Sequence, residues 1–198
     1  MQRQVLVMIP SGKLQLFCLL AAMLCGACSS GASVEQGGRW SDAPTETARV
    51  ESAERDLNAA MTTAADSVLA AVNVRRALGG VPPLIQQPVL SEVARERSID
   101  MAASGYLGHV NPQDGQVSVE ALLGSAGVIG QAAELLYQST LTIDQISQQA
   151  VAAWFQDSDH NLILLSPDFR FAGVGVMGDG ERWILTLILS GEAPKELP

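Results

Sequence analysis

The chain has 198 residues, of which 47% are hydrophobic, 21 are acidic and 12 are basic. This length favours one domain with extensions, and the hydrophobic content is enough to build a core. Residues 28–198 carry a formal charge of −11, a surface that repels the phosphates of nucleic acids and anionic lipid headgroups. We therefore exclude nucleic-acid binding. All three cysteines lie in the first 28 residues, so the domain that follows has neither a disulfide nor a thiolate metal site.

The N-terminus has the pattern of an export signal. Residues 14–27 form an apolar run that is too short to span a bilayer comfortably and is typical of a signal-peptide core. Two small residues precede Cys28, which resembles a bacterial lipobox, although Cys25 stands where leucine is usual. We predict a signal peptide over residues 1–27 and lipidation of Cys28, whose two acyl chains would anchor the protein to the membrane. Ordinary secretion and an uncleaved anchor are the alternatives.

The residues after Cys28 separate the anchor from the domain. Residues 28–44 are rich in Ser and Gly and lack periodicity, which predicts a flexible tether. Residues 45–78 contain no Pro and no Gly and favour helix, with a weaker apolar stripe in the first part that indicates a separate or frayed helix. We expect a helical extension over 45–63, the domain over 64–190 and a tail over 191–198.

Three more helices and a hairpin complete the predicted elements. Helices are expected over residues 88–104, over 118–123 and after Thr142. Two β-rich runs, 171–177 and 182–189, flank a GDGE turn and predict a hairpin. The second run is almost entirely apolar, so we expect it to be a central strand covered on both faces. The pattern predicts a small sheet with helices packed against it.

Two histidines and a carboxylate are the main candidates for chemistry. His109 lies in a turn-rich segment after one helix, and His160 lies at the end of another. Glu134 interrupts an apolar stretch, so it must face outward or find a partner, because burying a lone charge is costly. An imidazole would be such a partner. Asp157 and Asp159 are further acidic neighbours of His160.

These residue types leave three kinds of site open. Two histidines with one or two carboxylates suit a divalent cation such as Zn²⁺, although the spacing is not a short ligand motif. Acid–base work by Glu134 and a histidine is a second reading, yet the domain has no cysteine and no Gly-x-Ser-x-Gly motif to supply a nucleophile. In the third reading the histidines and Glu134 only pin loops together by hydrogen bonds.

A series of short segments, taken in chain order, resembles bacterial SCP-like domains of the CAP superfamily, which includes cysteine-rich secretory proteins, antigen 5 and plant pathogenesis-related proteins. The resemblance covers about residues 64–190. The matching segments are NVRR (73–76), GVPPL (80–84), SIDM (98–101), GYLGHVNP (105–112), AE (133–134), WFQDSDH (154–160), GVGV (173–176) and Trp183.

The resemblance implies an α+β fold, an α-β-α sandwich with a small antiparallel sheet between helical layers. It also implies a cleft lined by His109, Glu134, Asp157 and His160. Some members of the family bind divalent metals, and some bind sterols or other lipids. This chain departs from the family pattern where the usual Gly-Glu-Asn-Ile reads AELL (133–136), and where Arg97 replaces a common histidine.

A binding module at the cell envelope is the leading functional hypothesis. It would be outside the cytoplasm, anchored by lipid and directed at a lipid, glycan or protein ligand, with no required cofactor and with Zn²⁺ or another divalent cation as an optional one. The alternatives are a metal-assisted hydrolase using the same cleft and a purely structural envelope protein. One scaffold hosts many functions, so the resemblance implies the fold more firmly than the activity.

Overall fold

The computed structural model describes residues 5–8, 45–113, 115, 118–128, 130–178 and 181–194. The predictions for Cys28, for the tether and for all but a short strand of the signal peptide lie outside these residues. Within the described part, no helix is both long and apolar enough to cross a membrane.

Five helices and five strands make up the described chain. The helices are α1 (Glu46–Leu78), α2 (Pro88–Ser104), α3 (Ser118–Ser125), α4 (Ile143–Gln156) and α5 (Ser158–Leu164). The strands are β1 (Val5–Met8), β2 (Ile85–Gln86), β3 (Ala132–Ser139), β4 (Phe171–Gly178) and β5 (Trp183–Ser190).

Helix α1 is one continuous helix of 33 residues, capped by the Thr45 hydroxyl, rather than two segments. The boundary that we predicted at residue 64 therefore falls inside a helix. The first part has a weak apolar stripe because its residues before Met61 are mostly exposed, while buried side chains such as Val68 and Val72 begin further along. Helix α2 has the predicted bounds: Pro88 begins it, and Gly105 ends it in a left-handed conformation with φ 72°.

The strands form one sheet in the order β1-β3-β5-β4-β2. The neighbours β3, β5 and β4 pair antiparallel over eight residues each. The predicted hairpin is therefore β4–β5, and β5 is the buried central strand that its apolar sequence indicated. The short strand β2 pairs parallel with β4, so the sheet is mixed rather than wholly antiparallel.

Helices cover both faces of the sheet, which confirms the α+β sandwich. One face packs against α1 and α4 through a large apolar cluster that includes Trp154, Leu185 and Leu187. The other face packs against α2, with α3 beside it. Helix α2 approaches β4 very closely, since a methyl group added at Gly173 or Gly175 would fall on the backbone of the helix.

Candidate functional site

Glu134 is fully buried on β3, and both of its carboxylate oxygens have cationic or polar partners. Arg97 Nε of α2 donates to Oε1 at 2.8 Å, and His109 Nδ1 lies 2.6 Å from Oε2. Strand alternation turns Glu134 towards α2, the same side as Leu136, which packs against Met101. Pairing with Arg97 and His109 is what offsets the cost of burying this carboxylate.

Arg97 is the centre of this group, and its side chain is completely buried. Besides Glu134, its guanidinium donates to Asp100 Oδ2 at 3.2 Å, to the Tyr106 hydroxyl at 2.8 Å and to the Gly108 carbonyl at 2.7 Å. The Tyr106 hydroxyl in turn donates to Asp100. We call Arg97, Asp100, Tyr106, His109 and Glu134 the Arg97 network.

The electrostatic balance of Arg97 favours its charged form. Burial alone lowers the pKa of Arg97, but the charge of Glu134 and hydrogen bonds to Glu134 and Tyr106 outweigh it and raise the pKa above its ordinary value. The pKa of Tyr106 is raised as well, first by burial and then by its bond to Asp100. Arg97 therefore stays charged inside the domain at every physiological pH.

His109 reaches Glu134 from the loop that follows α2. The left-handed Gly105 turns the chain out of the helix, and the Gly108 carbonyl, one residue before His109, accepts from Arg97. The imidazole is largely buried, with 8% of the residue exposed. Because an ionised carboxylate only accepts hydrogen bonds, His109 donates its Nδ1–H to Glu134. Arg97 thus fixes both the loop and the carboxylate that orients the ring.

Asp157 and His160 form a second pair, at the junction between α4 and α5. Asp157 Oδ1 caps α5 by accepting from the backbone N–H groups of Asp159 and His160, each at 3.1 Å. The same oxygen accepts from His160 Nδ1 at 2.8 Å. The bonds from the His160 N–H and from its ring hold the pKa of Asp157 below its ordinary value. His160 itself is 1% exposed.

The described contacts join the four predicted residues into two pairs, His109–Glu134 and Asp157–His160. Trp154 lies three residues before Asp157 in the chain. Its indole Nε1–H donates to the carbonyl of Leu136, two residues along β3 from Glu134, so it links the segment of one pair to the strand of the other. No hydrogen bond among the described residues links one pair to the other. A cleft shared by all four residues therefore stays a prediction.

Glu134 does not fit as a ligand of a divalent cation. Both Glu134 oxygens are already engaged, and the permanently charged Arg97 lies 2.8 Å from one of them, where it would repel a second cation. Within the described residues, no three His, Cys, Asp or Glu side chains are grouped so that they could hold a metal. We therefore derive no chemistry through a metal.

Comparison with known proteins establishes the family. Residues 69–189, more than half of the chain, match the model of the cysteine-rich secretory protein (CAP) family. This chain belongs to the CAP family. The protein YkwD of Bacillus subtilis is 28% identical over 116 residues, which cover 59% of this chain and 43% of YkwD. The CAP chain described here thus matches less than half the length of that relative.

Solved structures show the same fold at low identity. An extracellular SCP-domain protein of Bacillus anthracis has a TM-score of 0.53 and 22% identity, over 66% of this chain and 41% of that one. An outer surface protein of Borrelia burgdorferi has a TM-score of 0.54 and 16% identity, over 64% and 90% of the two chains. A cysteine-rich secretory protein of Staphylococcus aureus has a TM-score of 0.52 and 18% identity, over 66% and 39%.

Sequence reasoning missed the part that Arg97 plays. We noted only that Arg97 replaces a common histidine of CAP domains. The signal that could have revealed it is the apolar stripe of α2, because Leu90, Ala94 and Met101 face the core and Arg97 stands at the helical spacing between them. An arginine on the buried face of a helix requires an internal carboxylate, and Glu134 was the one acidic residue in an apolar stretch.

Proposed function

We propose that this CAP chain is an extracytoplasmic binding module, held at the membrane through lipidated Cys28, with its ligand site around the His109–Glu134 and Asp157–His160 pairs. The observation that carries the proposal is that His109 and Arg97 engage both oxygens of Glu134. A general base needs a lone pair within reach of the proton that it takes. Glu134 instead orients His109, and the domain has no cysteine and no Gly-x-Ser-x-Gly motif to supply a nucleophile for that histidine to activate, which favours recognition.

A sequence prediction and a comparison support a location outside the cytoplasm. The predicted signal peptide precedes the domain, and two of the similar structures belong to proteins described as extracellular or as an outer surface protein.

Strand β1 lies within the predicted signal peptide and pairs with β3 along residues 132–135, beside Glu134. Cleavage before Cys28 would remove β1 and open this edge of β3 in the mature protein.

Co-sedimentation of the purified protein with two envelope probes, isolated peptidoglycan sacculi and vesicles of bacterial phospholipids, tests the proposal. We expect one of the probes to bind the protein, and the double substitution His109→Ala with His160→Ala to weaken that binding at least about tenfold, a loss of about 1.4 kcal/mol. Asp159→Ala is the matched control, since its side chain is next to the Asp157–His160 pair and makes none of these bonds.

The outcome decides between binding and the alternatives. Full binding by a folded double variant would show that the two histidines are not the working site. The metal-assisted alternative is tested by adding millimolar zinc to the purified protein, because a ligand of the native state alone raises the melting temperature. We expect no rise, and a rise that the double variant abolishes would restore the metal reading.

A further inference from the structure

A groove of about 720 Å³ follows the outer edge of β4, the strand that β5 separates from β3 and its Glu134. Its floor is the β4 backbone over residues 174–177. Helix α1 forms one wall and α2 the other, because the two helices pack on opposite faces of the sheet and both reach its edge. We call this feature the β4 groove.

The floor of the β4 groove carries open backbone hydrogen-bonding groups. Strand β2 pairs only with Phe171 and Ala172 of β4, and the Gln87 N–H donates to the Ala172 carbonyl at 2.8 Å before the chain turns into α2. Because backbone groups alternate along a strand, the N–H and C=O of Val174 and Val176 point to the same outer side. No described strand covers them there, and an edge of this kind is a template for an added strand.

The two walls offer different chemistry. On the α1 side, Met61 and Ala65 line the groove together with the valine side chains of β4. On the α2 side, Ser91 lines the groove, and its hydroxyl is buried without a hydrogen-bond partner among the described residues. A strand lying on β4 would turn alternate side chains towards these apolar and polar walls.

The charged residues that line the groove indicate the charge of the peptide that would bind there. Arg95 is held by Glu92 through bonds of 3.0 and 2.5 Å, so the two charges neutralise each other. Asp66 is left in excess, and its Oδ1 accepts a long 3.5 Å bond from Gln86 at the β2 end of the groove. The excess carboxylate favours a basic side chain at that end.

We propose that the β4 groove binds an extended peptide that adds a strand to β4. Its backbone pairs with Val174 and Val176, and one apolar side chain packs against Met61 and Ala65. A Lys or Arg at the end of the peptide lies near Asp66, at the β2 end of the groove. The four residues of open edge accommodate about four residues of peptide at a strand rise of about 3.3 Å. The β4 groove shares only α2 with the Arg97 network, and the variants that test it lie on α1, so its failure and the failure of the function proposed above are distinguishable.

Fluorescence anisotropy with the labelled peptide KVKVK tests this proposal on the purified protein. Two matched probes separate the contribution of side-chain charge from that of backbone hydrogen bonds. EVEVE reverses the charge, and KVKVK with methylated backbone nitrogens loses its N–H donors. We expect each matched probe to bind at least about tenfold more weakly than KVKVK. Amide chemical-shift changes on adding KVKVK are expected at Val174 and Val176.

Neighbouring threonines of α1 supply the protein variants. Thr62 lines the β4 groove and Thr63 does not, yet both are exposed and both donate to the carbonyl four residues earlier at 2.9 Å. Thr62→Trp should block KVKVK and Thr63→Trp should leave its affinity unchanged. Absence of KVKVK binding at millimolar concentration would overturn the proposal. Equal binding of the methylated probe, or undiminished binding to Thr62→Trp, would overturn it too.

Discussion

Arg97 determines how the buried charges of this CAP domain are arranged. It is a cation in the core that meets two carboxylates, a phenol and a carbonyl. Glu134 and the Gly108 carbonyl are buried and would be costly to leave unpaired, whereas Asp100 and Tyr106 are partly exposed. His109 depends on it indirectly, since Arg97 fixes both the loop carbonyl next to His109 and the carboxylate that orients its ring. Arg97 is therefore a positioning residue rather than one that meets a ligand.

Arg97→Met should destabilise the domain by about 3–5 kcal/mol, because it removes one partner of a buried ion pair and leaves Glu134 uncompensated. Urea denaturation measures this free energy of unfolding. Arg95→Met is the control on the same helix: Arg95 is half-exposed and pairs only with Glu92, so the expected loss is about 0–1 kcal/mol. Equal losses in the two variants would contradict the central place of Arg97.

Asp157 should make stability depend on pH in the acidic range. Its folded pKa is lowered, so its carboxylate stabilises the native state above the ordinary value of about 3.9, and this contribution is lost as the pH falls through the lowered folded pKa. Asp157→Asn keeps a capping side chain but removes the charge. We expect wild type to be more stable than the variant at pH 7, with the difference vanishing in strong acid.

Urea denaturation of both proteins across this range gives the comparison. Asp159→Asn is the control, because Asp159 contributes a backbone N–H to the cap rather than its carboxylate. If the difference in free energy of unfolding between wild type and Asp157→Asn grew as the pH fell, it would contradict this explanation.

At the level of elements, the close contact of α2 with β4 is the tightest feature of the sandwich. Gly175→Ala would place a methyl group on the backbone of Ala94, so the helix must move away from the sheet. We expect a loss of about 1–3 kcal/mol or more, measured by thermal or urea unfolding. Gly124→Ala is the matched control, since it lies in α3 with open space around it and should gain up to about 1 kcal/mol. Tolerance of Gly175→Ala would contradict this packing.

Sequence reasoning predicted elements where local signals are strong and missed them where pairing decides. Helix α2 has proline at its start and glycine after its end, and both bounds were predicted correctly. Strand β3 was missed because its residues, AAELLYQS, favour helix, and its conformation is set by pairing with β5. Helix α5 was missed because it is seven residues long and begins at the Asp157 cap, where α4 has just ended.

The candidate site shows the same difference between local signals, which the sequence reveals, and long-range pairing, which it does not. The sequence identified His109, Glu134, Asp157 and His160 as candidates and the contact of Glu134 with an imidazole as a way to satisfy its charge. It did not predict which histidine would be that partner from spacing alone, because residues 109 and 134 meet only through the folding of β3 beside α2. Long-range contacts of this kind leave no local periodicity to read.

At the level of the whole molecule, the predicted anchor would determine where the two proposed binding surfaces act. Cys28→Ser should move the protein from the membrane fraction to the soluble fraction of the source bacterium, because two acyl chains give stable anchoring and none remain. Immunoblotting of the two fractions measures the shift. Cys18→Ser is the control, since that cysteine lies inside the apolar run and would be removed with the predicted signal peptide. Retention of Cys28→Ser in the membrane would favour the uncleaved anchor, and a soluble wild type would favour ordinary secretion.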